Sequence, residues 1–426
     1  MRIAQDRARV LRPPPVVDVV RPCVRGDGLT TLSEADEVAG RDHAGGALAF
    51  VPASGAATRL FAAWQEALDR GDHDAPGLLE GPTMAVWEPG STLQDALRAT
   101  LARWSGAPKG LVPFHLPRRT AVDEHLAEVA ALGLGSAHFT VAAAHRNAFE
   151  AAVQGRATLS VQDPATDTIA FTPHGEPLRV RGDLVFRPAG HGALLGNLAR
   201  AATQARGGLV AVKNIDNIVA PEHRPGVLPW RWRLLGRAAT LRDAQHRILR
   251  AADASAAQAL LAEAFGQDCP REEALARLDR PLRVAGMVRD EGEPGGGPYW
   301  VRGADGRVLP QIVEGAQLDP GRAAHQAARR AATHFHPVDM VLSVQGPHGP
   351  YDLSRFVAPE GYMVVRKTHH GHPLVAVERP GLWNGGMAGW NTIFAELPAA
   401  VFQPVKHIAD LLRPAHRPRG GPPPVE

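Results

Sequence analysis

The positions of apolar residues along the chain predict strands that alternate with helices. Short apolar runs bounded by glycine or polar residues are typical of buried strands, and apolar residues three or four positions apart are typical of helices. This alternation indicates an α/β fold with a mostly parallel central sheet flanked by helices. The predicted strands are 47–53, 137–143, 167–172, 184–188 and 208–216. The predicted helices are 58–70, with Thr58 as a plausible N-cap, and 123–132, 145–153 and 193–205.

The segments around this core give the expected domain organisation. Residues 1–45 are interrupted by proline and glycine, and we expect an N-terminal extension with a short helix. Residues 46–412 are predicted to form one α/β domain, in which the Ala-rich stretch 232–278 is a helical insertion. The later runs RVAGMV, QIVEGAQL, MVLSV and YMVVR are predicted to complete the sheet. Residues 413–426, rich in proline and arginine, are predicted to be a disordered tail.

Composition and charge exclude several classes of protein. Of the 426 residues, 44% are hydrophobic and 21% are charged, which is enough to bury a large core. The formal net charge of +3 is small and no long basic run occurs, so a nucleic-acid partner is not expected. Cys23 and Cys269 belong to no CxxC pair, which fits a reducing compartment. No apolar run of about 18 residues and no apolar leader occur, so we expect a cytoplasmic protein that does not enter a membrane.

Arginine is the ordinary cation of this chain. Of the 47 basic residues only four are lysine. A compact ammonium suits a phosphate or a reacting centre where a planar guanidinium does not fit, although any single lysine can also be a chance surface residue. The four positions are Lys109, Lys213, Lys367 and Lys406.

A loop of small residues joins the first predicted strand to the first predicted helix. Such a loop lets backbone N–H groups approach an anion at a helix N-terminus, where Arg59 would meet phosphate oxygens. Any tight strand-to-helix turn also uses small residues, so the loop alone does not decide between the two interpretations. The small residues are Ser54, Gly55, Ala56 and Ala57.

Two residue pairs carry a resemblance to a known family. The loop ends in Thr58-Arg59, and Pro108-Lys109 follows in the segment APKGLVPFH. In these pairs the chain resembles the sugar-nucleotide pyrophosphorylases, whose opening signature is a glycine-rich loop ending in Thr-Arg and then a Pro-Lys pair. The family sequence Gly-Gly-x-Gly-Thr-Arg has more glycines than this loop, which changes the fine geometry expected for phosphate binding.

Two central segments, RPAGHGAL and KNIDNIVAP, are similar to the UDP-sugar branch of that family. In that branch a Pro-Gly-Gly-His-Gly stretch reads the base and an Asn-x-Asp-Asn stretch ends a central strand. The resemblance implies nucleotide contacts by Gly190, His191 and Gly192, and by Asn217. An isolated histidine is more often structural, but its place between two glycines favours the base. Asp216, at the carboxyl end of a predicted strand, is well placed to hold Mg²⁺.

The C-terminal half adds two further similarities. QIVEGAQLD is similar to the Leu-Glu-x-Ala-Gln segment of UDP-glucose pyrophosphorylases, which implies that Glu314 and Gln317 lie near a sugar. Asp339 follows where the family has asparagines, and it is a candidate for the sugar site or a second metal ligand, with a solvated or capping aspartate as an equal alternative. VFQPVKHIADLL matches Phe-x-Pro-Val-Lys-x-x-x-Asp-Leu-Leu, which implies that Lys406 neutralises phosphate charge.

The resemblance covers about residues 48–412 in separate patches and is similar to a bacterial branch of the UDP-sugar pyrophosphorylase-like nucleotidyltransferases. It implies a nucleotide-diphospho-sugar transferase fold, GT-A-like and Rossmann-like. It also implies a Mg²⁺-dependent reaction of a nucleoside triphosphate, with UTP favoured, and a sugar 1-phosphate or similar phosphate monoester. The implied reaction releases pyrophosphate, and its catalysis would consist of charge neutralisation and alignment, without a protein nucleophile. The residues expected to be catalytic are Arg59, Lys109, Asp216 and Lys406.

Two other functions stay open. A glycosyltransferase of related fold would hold its metal with an Asp-x-Asp pair, but the chain has Asn214-Ile215-Asp216. A catalytically silent nucleotide-sugar sensor would explain the thinned glycine loop, whereas the retained basic residues favour catalysis. The sequence does not identify the acceptor or the oligomeric state. It also assigns no role to the glycine and aromatic segments 291–300 and 381–392, which are either sugar-facing walls or self-packed loops.

Overall fold

The computed structural model describes residues 2–12, 15–71, 81–292, 295–369 and 372–418. Eleven α-helices and twenty-three strands lie in these ranges. The helices are α1 Arg2–Val10, α2 Glu34–His43, α3 Ala62–Arg70, α4 Leu93–Trp104, α5 Ala121–Leu132, α6 Arg146–Val153, α7 Leu195–Ala202, α8 Arg224–Ala251, α9 Ala254–Phe265, α10 Arg271–Leu278 and α11 Ala323–Ala331. The strands are β1 Asp18–Pro22, β2 Val24–Arg25, β3 Gly28–Thr30, β4 Leu48–Pro52, β5 Pro113–His115, β6 Arg119–Thr120, β7 Ser136–Val141, β8 Thr158–Val161, β9 Thr168–Phe171, β10 Arg179–Val180, β11 Asp183–Leu184, β12 Phe186–Arg187, β13 Leu209–Lys213, β14 Leu282–Arg289, β15 Gly297–Arg302, β16 Val308–Val313, β17 His334–Phe335, β18 Asp339–Ser343, β19 Gln345–Gly346, β20 Gly349–Pro350, β21 Met363–His369, β22 His372–Glu378 and β23 Asn391–Glu396.

The central sheet confirms the predicted fold class. Its ten strands follow the order β2-β3-β23-β14-β18-β13-β4-β7-β8, with β17 beside β14. The pairs β2–β3, β3–β23, β23–β14, β4–β7 and β7–β8 are parallel, and β14–β18 is antiparallel. The molecule is therefore mixed α/β with a mostly parallel sheet. None of the helices in the described ranges has both the length and the apolarity that a membrane crossing requires.

Several predicted strands exist but lie outside the central sheet. The predictions at 167–172, at 184–188 and at YMVVR correspond to β9, to β11 and β12, and to β21. Strands β12, β9, β22 and β21 form a separate antiparallel sheet, and QIVEGAQL gives β16, which pairs with β15 in the sheet β1-β15-β16. The expectation that QIVEGAQL and YMVVR complete the central sheet is therefore wrong. Each lies in a hairpin whose connection is too short for the crossover that parallel neighbours need.

The helix after the small-residue loop begins later than predicted. Helix α3 starts at Ala62, and its N-cap position is Phe61, which makes no side-chain capping bond. Thr58 is therefore not the N-cap, because a tight turn comes first in which the Leu60 N–H donates to the Ala57 carbonyl.

The chain divides into two compact units. Unit 1 comprises residues 1–33, 162–210 and 237–397, and unit 2 comprises residues 34–161, 211–236 and 398–426. In unit 1, β1 pairs along β15, so part of the predicted N-terminal extension belongs to a sheet there. In unit 2, His416 is buried. The predicted boundaries at 45 and 412 thus do not coincide with these units, and most of the predicted disordered tail, residues 419–426, lies outside the described residues.

The core of unit 2 contains a buried ion pair beside its apolar residues. Lys213 Nζ, at the end of β13, donates to both carboxylate oxygens of Glu128 on α5 at 2.7 and 2.8 Å. Burial acts to raise the pKa of Glu128, but the positive charges of Arg231 and Lys213 outweigh it and hold that pKa at about 2. Lys213 is therefore a structural lysine. Its ion pair with Glu128 holds the end of β13, three residues before Asp216.

We predict that acid destabilises the protein through its buried histidines. Burial lowers the pKa values of His125, His336 and His416 to about 3, from an ordinary 6.5. Between these values the unfolded chain binds protons that the folded chain does not. Stability is therefore complete above pH 6.5 and is lost as the pH falls, by up to about 1.4 kcal/mol per pH unit for each histidine.

Urea unfolding of wild type and His125→Gln across this pH range measures the effect. The variant should lose less stability per pH unit than wild type, whereas His348→Gln, at an exposed position, should behave like wild type. Equal slopes for wild type and His125→Gln would contradict the prediction.

Candidate functional site

An ion pair in unit 2 joins two of the residues predicted to be catalytic. Lys109 Nζ lies 2.7 Å from Asp216 Oδ2, and the two side chains are 15% and 20% exposed. Asp216 lies three residues beyond the carboxyl end of β13, the usual place for ligand-binding residues in such sheets. The carbonyl of Ile215 accepts a hydrogen bond from His125 Nε2 at 3.1 Å, so a buried, neutral imidazole holds the turn that carries Asp216.

The small-residue loop is hydrogen-bonded to the segment that carries Lys109. The Ala57 N–H donates to the Ala107 carbonyl at 2.9 Å, and the Lys109 N–H donates to the Gly55 carbonyl at 3.0 Å. The backbone N–H groups of Ser54, Gly55 and Ala56 donate no hydrogen bond within the described ranges, so they are available to an anion. Helix α3 begins only at Ala62. The helix N-terminus therefore does not adjoin this loop as the sequence predicted, and the loop amides are the donors that remain.

A C-terminal segment of unit 2 returns to both of these places. The Val405 N–H donates to the Asp216 carbonyl at 3.0 Å, and the Ile408 N–H donates to the Leu60 carbonyl at 2.9 Å. Arg59 precedes Leu60, is exposed, and forms no ion pair with any described residue. The backbone thus brings all four predicted catalytic residues to one region.

The spacing of Lys406 and Asp410 in the Pro-Val-Lys-x-x-x-Asp segment has a structural reason within this chain. Asp410 Oδ2 accepts the N–H groups of Lys406 and His407, both at 2.8 Å, and so shapes the turn after Pro404. Lys406 Nζ lies 5.5 Å from the centre of the Phe402 ring. The aspartate of the motif therefore fixes the backbone of the lysine.

Asn217 has a different role from the predicted one. Its Oδ1 accepts the Gln403 N–H at 2.9 Å, and its Nδ2 donates to the Val401 carbonyl at 3.2 Å. The residue is 1% exposed. Both ends of the side chain are used inside the protein, so Asn217 positions the Lys406 segment and does not face a nucleotide.

The residues around Asp216 fit a magnesium ion that substrate completes. In the described ranges no three histidine, cysteine, aspartate or glutamate side chains form a metal-binding group. Mg²⁺ is commonly held by one or two carboxylates, with phosphate oxygens and water as the other ligands. The hydrogen bond from Lys109 uses only Oδ2 of Asp216, which leaves Oδ1 for a cation.

The residues predicted to read the base lie in unit 1, where His191 stacks on Trp383. The ring centroids are 3.7 Å apart and the planes differ by 6°. His191 Nδ1 accepts the Leu382 N–H at 2.8 Å, so the neutral ring carries its proton on Nε2. Burial lowers the pKa of His191 to about 4, which keeps this ring neutral at pH 7.

The two glycines beside His191 are required by close contacts. Gly190 has a φ of 74°, and a Cβ there would lie 2.8 Å from Glu378 Oε2. A Cβ on Gly192 would lie 2.1 Å from the Pro380 carbonyl oxygen. The motif therefore allows the His191 backbone to lie directly against the segment that follows β22.

The predicted sugar-site residues meet the same segment. Trp383 Nε1 donates to Glu314 Oε1 at 3.3 Å, and burial raises the pKa of Glu314. Gln317 is buried, and its Oε1 accepts the Glu314 N–H at 3.0 Å and Asn384 Nδ2 at 3.1 Å. Glu314 and Gln317 are thus brought together with His191 through residues 383–384. Asp339 is buried at the first position of β18.

Two residues of this group were missed by sequence reasoning. Trp383 belongs to the glycine and aromatic segment 381–392, to which the sequence assigned no role. Arg283 is fully buried, donates to Thr392 Oγ1 at 2.9 Å and to the Trp383 carbonyl, and so ties both ends of that segment to β14. An arginine inside the apolar run LRVAGMV was the available signal.

Residues 87–417 match the model of a protein family described as "Domain of unknown function (DUF4301)". The chain belongs to this family. A comparison with curated protein sequences gives no match.

Two solved structures resemble the chain in fold. The UDP-N-acetylglucosamine pyrophosphorylase of Trypanosoma brucei, in complex with an inhibitor, has a TM-score of 0.53 at 12% identity, over 92% of this chain and 72% of that one. A Trypanosoma brucei protein described as UDP-glucose phosphorylase has a TM-score of 0.50 at 12% identity, over 93% of this chain and 69% of that one. The chain therefore has the fold of the UDP-sugar pyrophosphorylases, as the resemblance implied.

We predict that Asn217→Ala lowers the free energy of unfolding by about 2 kcal/mol, because it leaves the Gln403 N–H and the Val401 carbonyl buried without partners. Asn214→Ala is a matched control, since its half-buried side chain makes no hydrogen bond to a described residue. Urea unfolding of both variants measures the difference. Equal stability of the two variants would contradict the role given to Asn217.

Proposed function

We propose that the chain is a nucleotidyltransferase that joins a nucleoside triphosphate, with UTP favoured, to a sugar 1-phosphate or similar phosphate monoester and releases pyrophosphate. The observation that supports this most is that hydrogen bonds and an ion pair join four distant parts of the chain, namely the small-residue loop, the Lys109 segment, the Asp216 turn and the Lys406 segment. The shared fold of the UDP-sugar pyrophosphorylases agrees with it.

The reaction needs positive charge and alignment, and no protein nucleophile. An oxygen of the sugar 1-phosphate attacks the α-phosphorus of the triphosphate. The bond from that phosphorus to the bridging oxygen breaks, and pyrophosphate leaves with the electron pair. Arg59 and the loop amides bind phosphate oxygens, and the ammonium groups of Lys109 and Lys406 offset the charge that accumulates in the transition state.

Asp216 would hold Mg²⁺, which supplies further positive charge to the phosphate oxygens. Its Oδ1 is the atom available for this, because Oδ2 accepts the Lys109 ammonium. Lys109 in turn orients the Asp216 carboxylate through this contact.

In this proposal His191 recognises the base, as the resemblance implies. Its neutral ring presents an Nε2–H donor, and uracil offers carbonyl oxygens as acceptors. Gly190 and Gly192 let the His191 backbone lie against the segment after β22. Trp383 fixes the plane of the ring.

We predict that Asp216→Ala and Lys406→Ala each lower the rate of pyrophosphate release by about a hundredfold or more, since the first removes the carboxylate that would hold Mg²⁺ and the second removes a positive charge at the reacting phosphates. The assay uses Mg²⁺, each of the four ribonucleoside triphosphates and a panel of sugar 1-phosphates. Asp95→Ala and Arg98→Ala, which remove an exposed ion pair on α4, are the matched controls and should retain the wild-type rate.

The outcome separates this proposal from the sensor function. Acceptor-dependent release that is lost in both site variants supports it and identifies the substrates. Binding of UTP without release in any combination supports a nucleotide-sugar sensor, which the thinned glycine loop and the late start of α3 favour. The absence of both binding and release would overturn both functions.

We also predict that Lys406→Arg keeps less than about a tenth of the wild-type rate, because the planar guanidinium cannot replace a compact ammonium at a reacting phosphate. Full activity of this variant would show that Lys406 acts only through its charge at a distance.

A further inference from the structure

A cavity of about 510 Å³ lies within unit 1, beside the residues that follow His191. Its walls are one face of α1, the residues before and within β9, the first turn of α7, residues 354–359 and the end of β22. Pockets of about 300–1,000 Å³ suit small organic ligands. The cavity is therefore large enough for a metabolite and larger than a single inorganic ion requires.

Two guanidinium groups line this cavity. Arg9, on α1, lies over the Tyr362 ring at 4.7 Å from its centre. Arg379 donates through Nε to the Thr166 carbonyl at 3.1 Å, which fixes the orientation of its planar head. Such pre-oriented forks bind phosphate or carboxylate groups through paired hydrogen bonds.

The charge of the lining favours an anion. Asp6 is the only carboxylate among the described residues that line the cavity. Its Oδ1 lies 3.6 Å from Arg9 Nη1, a weak ion pair that leaves Arg9 able to bind another anion. The first turn of α7 adds the positive end of a helix dipole to the same wall. Hydroxyl and amide groups, among them Thr166 and Gln5, also line the cavity.

We propose that this cavity binds a small organic anion, whose phosphate or carboxylate group is held by Arg9 and Arg379 and whose hydroxyl groups face the polar lining. The phosphate and carboxylate classes share this chemistry, and the choice of probe distinguishes them.

The cavity and the His191–Trp383 stack share two segments of backbone. Arg379 stands three residues before Leu382, whose N–H binds His191, and the Arg379 N–H donates to the Ala189 carbonyl at 2.9 Å. Gly192, next to His191, is itself a lining residue. An occupant that moves either segment moves the stack. Any effect on catalysis rests on the proposed function, but binding does not.

The test is calorimetric titration of the full chain with ribose 5-phosphate and, separately, with citrate. Loss of one charge-assisted contact should weaken affinity about tenfold or more. Arg9→Gln and Arg379→Gln should therefore both weaken binding, and Asp6→Asn should strengthen it, because the competing carboxylate is gone.

Arg7→Gln is the matched control, since Arg7 lies on the same helix but binds the Gly175 carbonyl and Glu176 outside the cavity. Gly196→Phe tests the cavity without removing a charge, because the nearest described side-chain atom to a Cβ built there is Arg200 Nη1, at 3.5 Å. Arg7→Gln should bind as wild type does, and Gly196→Phe should bind more weakly.

Arg59→Gln separates this cavity from the phosphate loop of the proposed active site. Wild-type affinity in Arg59→Gln, with loss in Arg9→Gln and Arg379→Gln, supports the proposal even if no nucleotidyltransfer is found. Binding that is lost only in Arg59→Gln, or that neither probe shows with wild type, would overturn it.

Discussion

The ion pair between Lys109 and Asp216 is the interaction around which the candidate active site is assembled. Each charge compensates the other when no substrate is bound, so neither is left uncompensated in a partly buried place. The pair therefore holds both groups in position at little electrostatic cost. In the proposed function, a phosphate group would compete for the ammonium and a cation would compete for the carboxylate.

The remaining supports of this site lie beneath it and are polar. The imidazole of His125 holds the Ile215 carbonyl, and the Lys213–Glu128 pair holds the end of β13. These groups are buried and hydrogen-bonded, so they restrict the turn more than apolar packing alone would. The four lysines thus divide by environment: Lys213 is structural, Lys367 pairs with Glu378 at a more exposed position, and the other two belong to the candidate site.

Sequence reasoning succeeded where the signal was local. Apolar runs predicted β4 and β7 within two residues and β13 within three, because a strand in a parallel sheet is buried on both faces. The second sheet was not predicted, since β9 and β22 are separated by about two hundred residues and nothing local marks them as partners. The resemblance placed Asn217 in a nucleotide site, but an amide side chain serves ligand and backbone equally well. Only its actual partners distinguish the two uses. Sequence reasoning assigned Trp383 no role, because its partner His191 lies about 190 residues earlier in the chain.

The neutral state of His191 has a consequence for how the chain would discriminate ligands. An imidazole with a pKa near 7 would be partly neutral and partly charged, and the ratio of the two forms would change with pH. Here the imidazole is held by Trp383 and by the Leu382 N–H, and it protonates only near pH 4. In the proposed role, its preference among ligands would therefore depend on hydrogen-bond geometry and would stay the same through any physiological change in acidity.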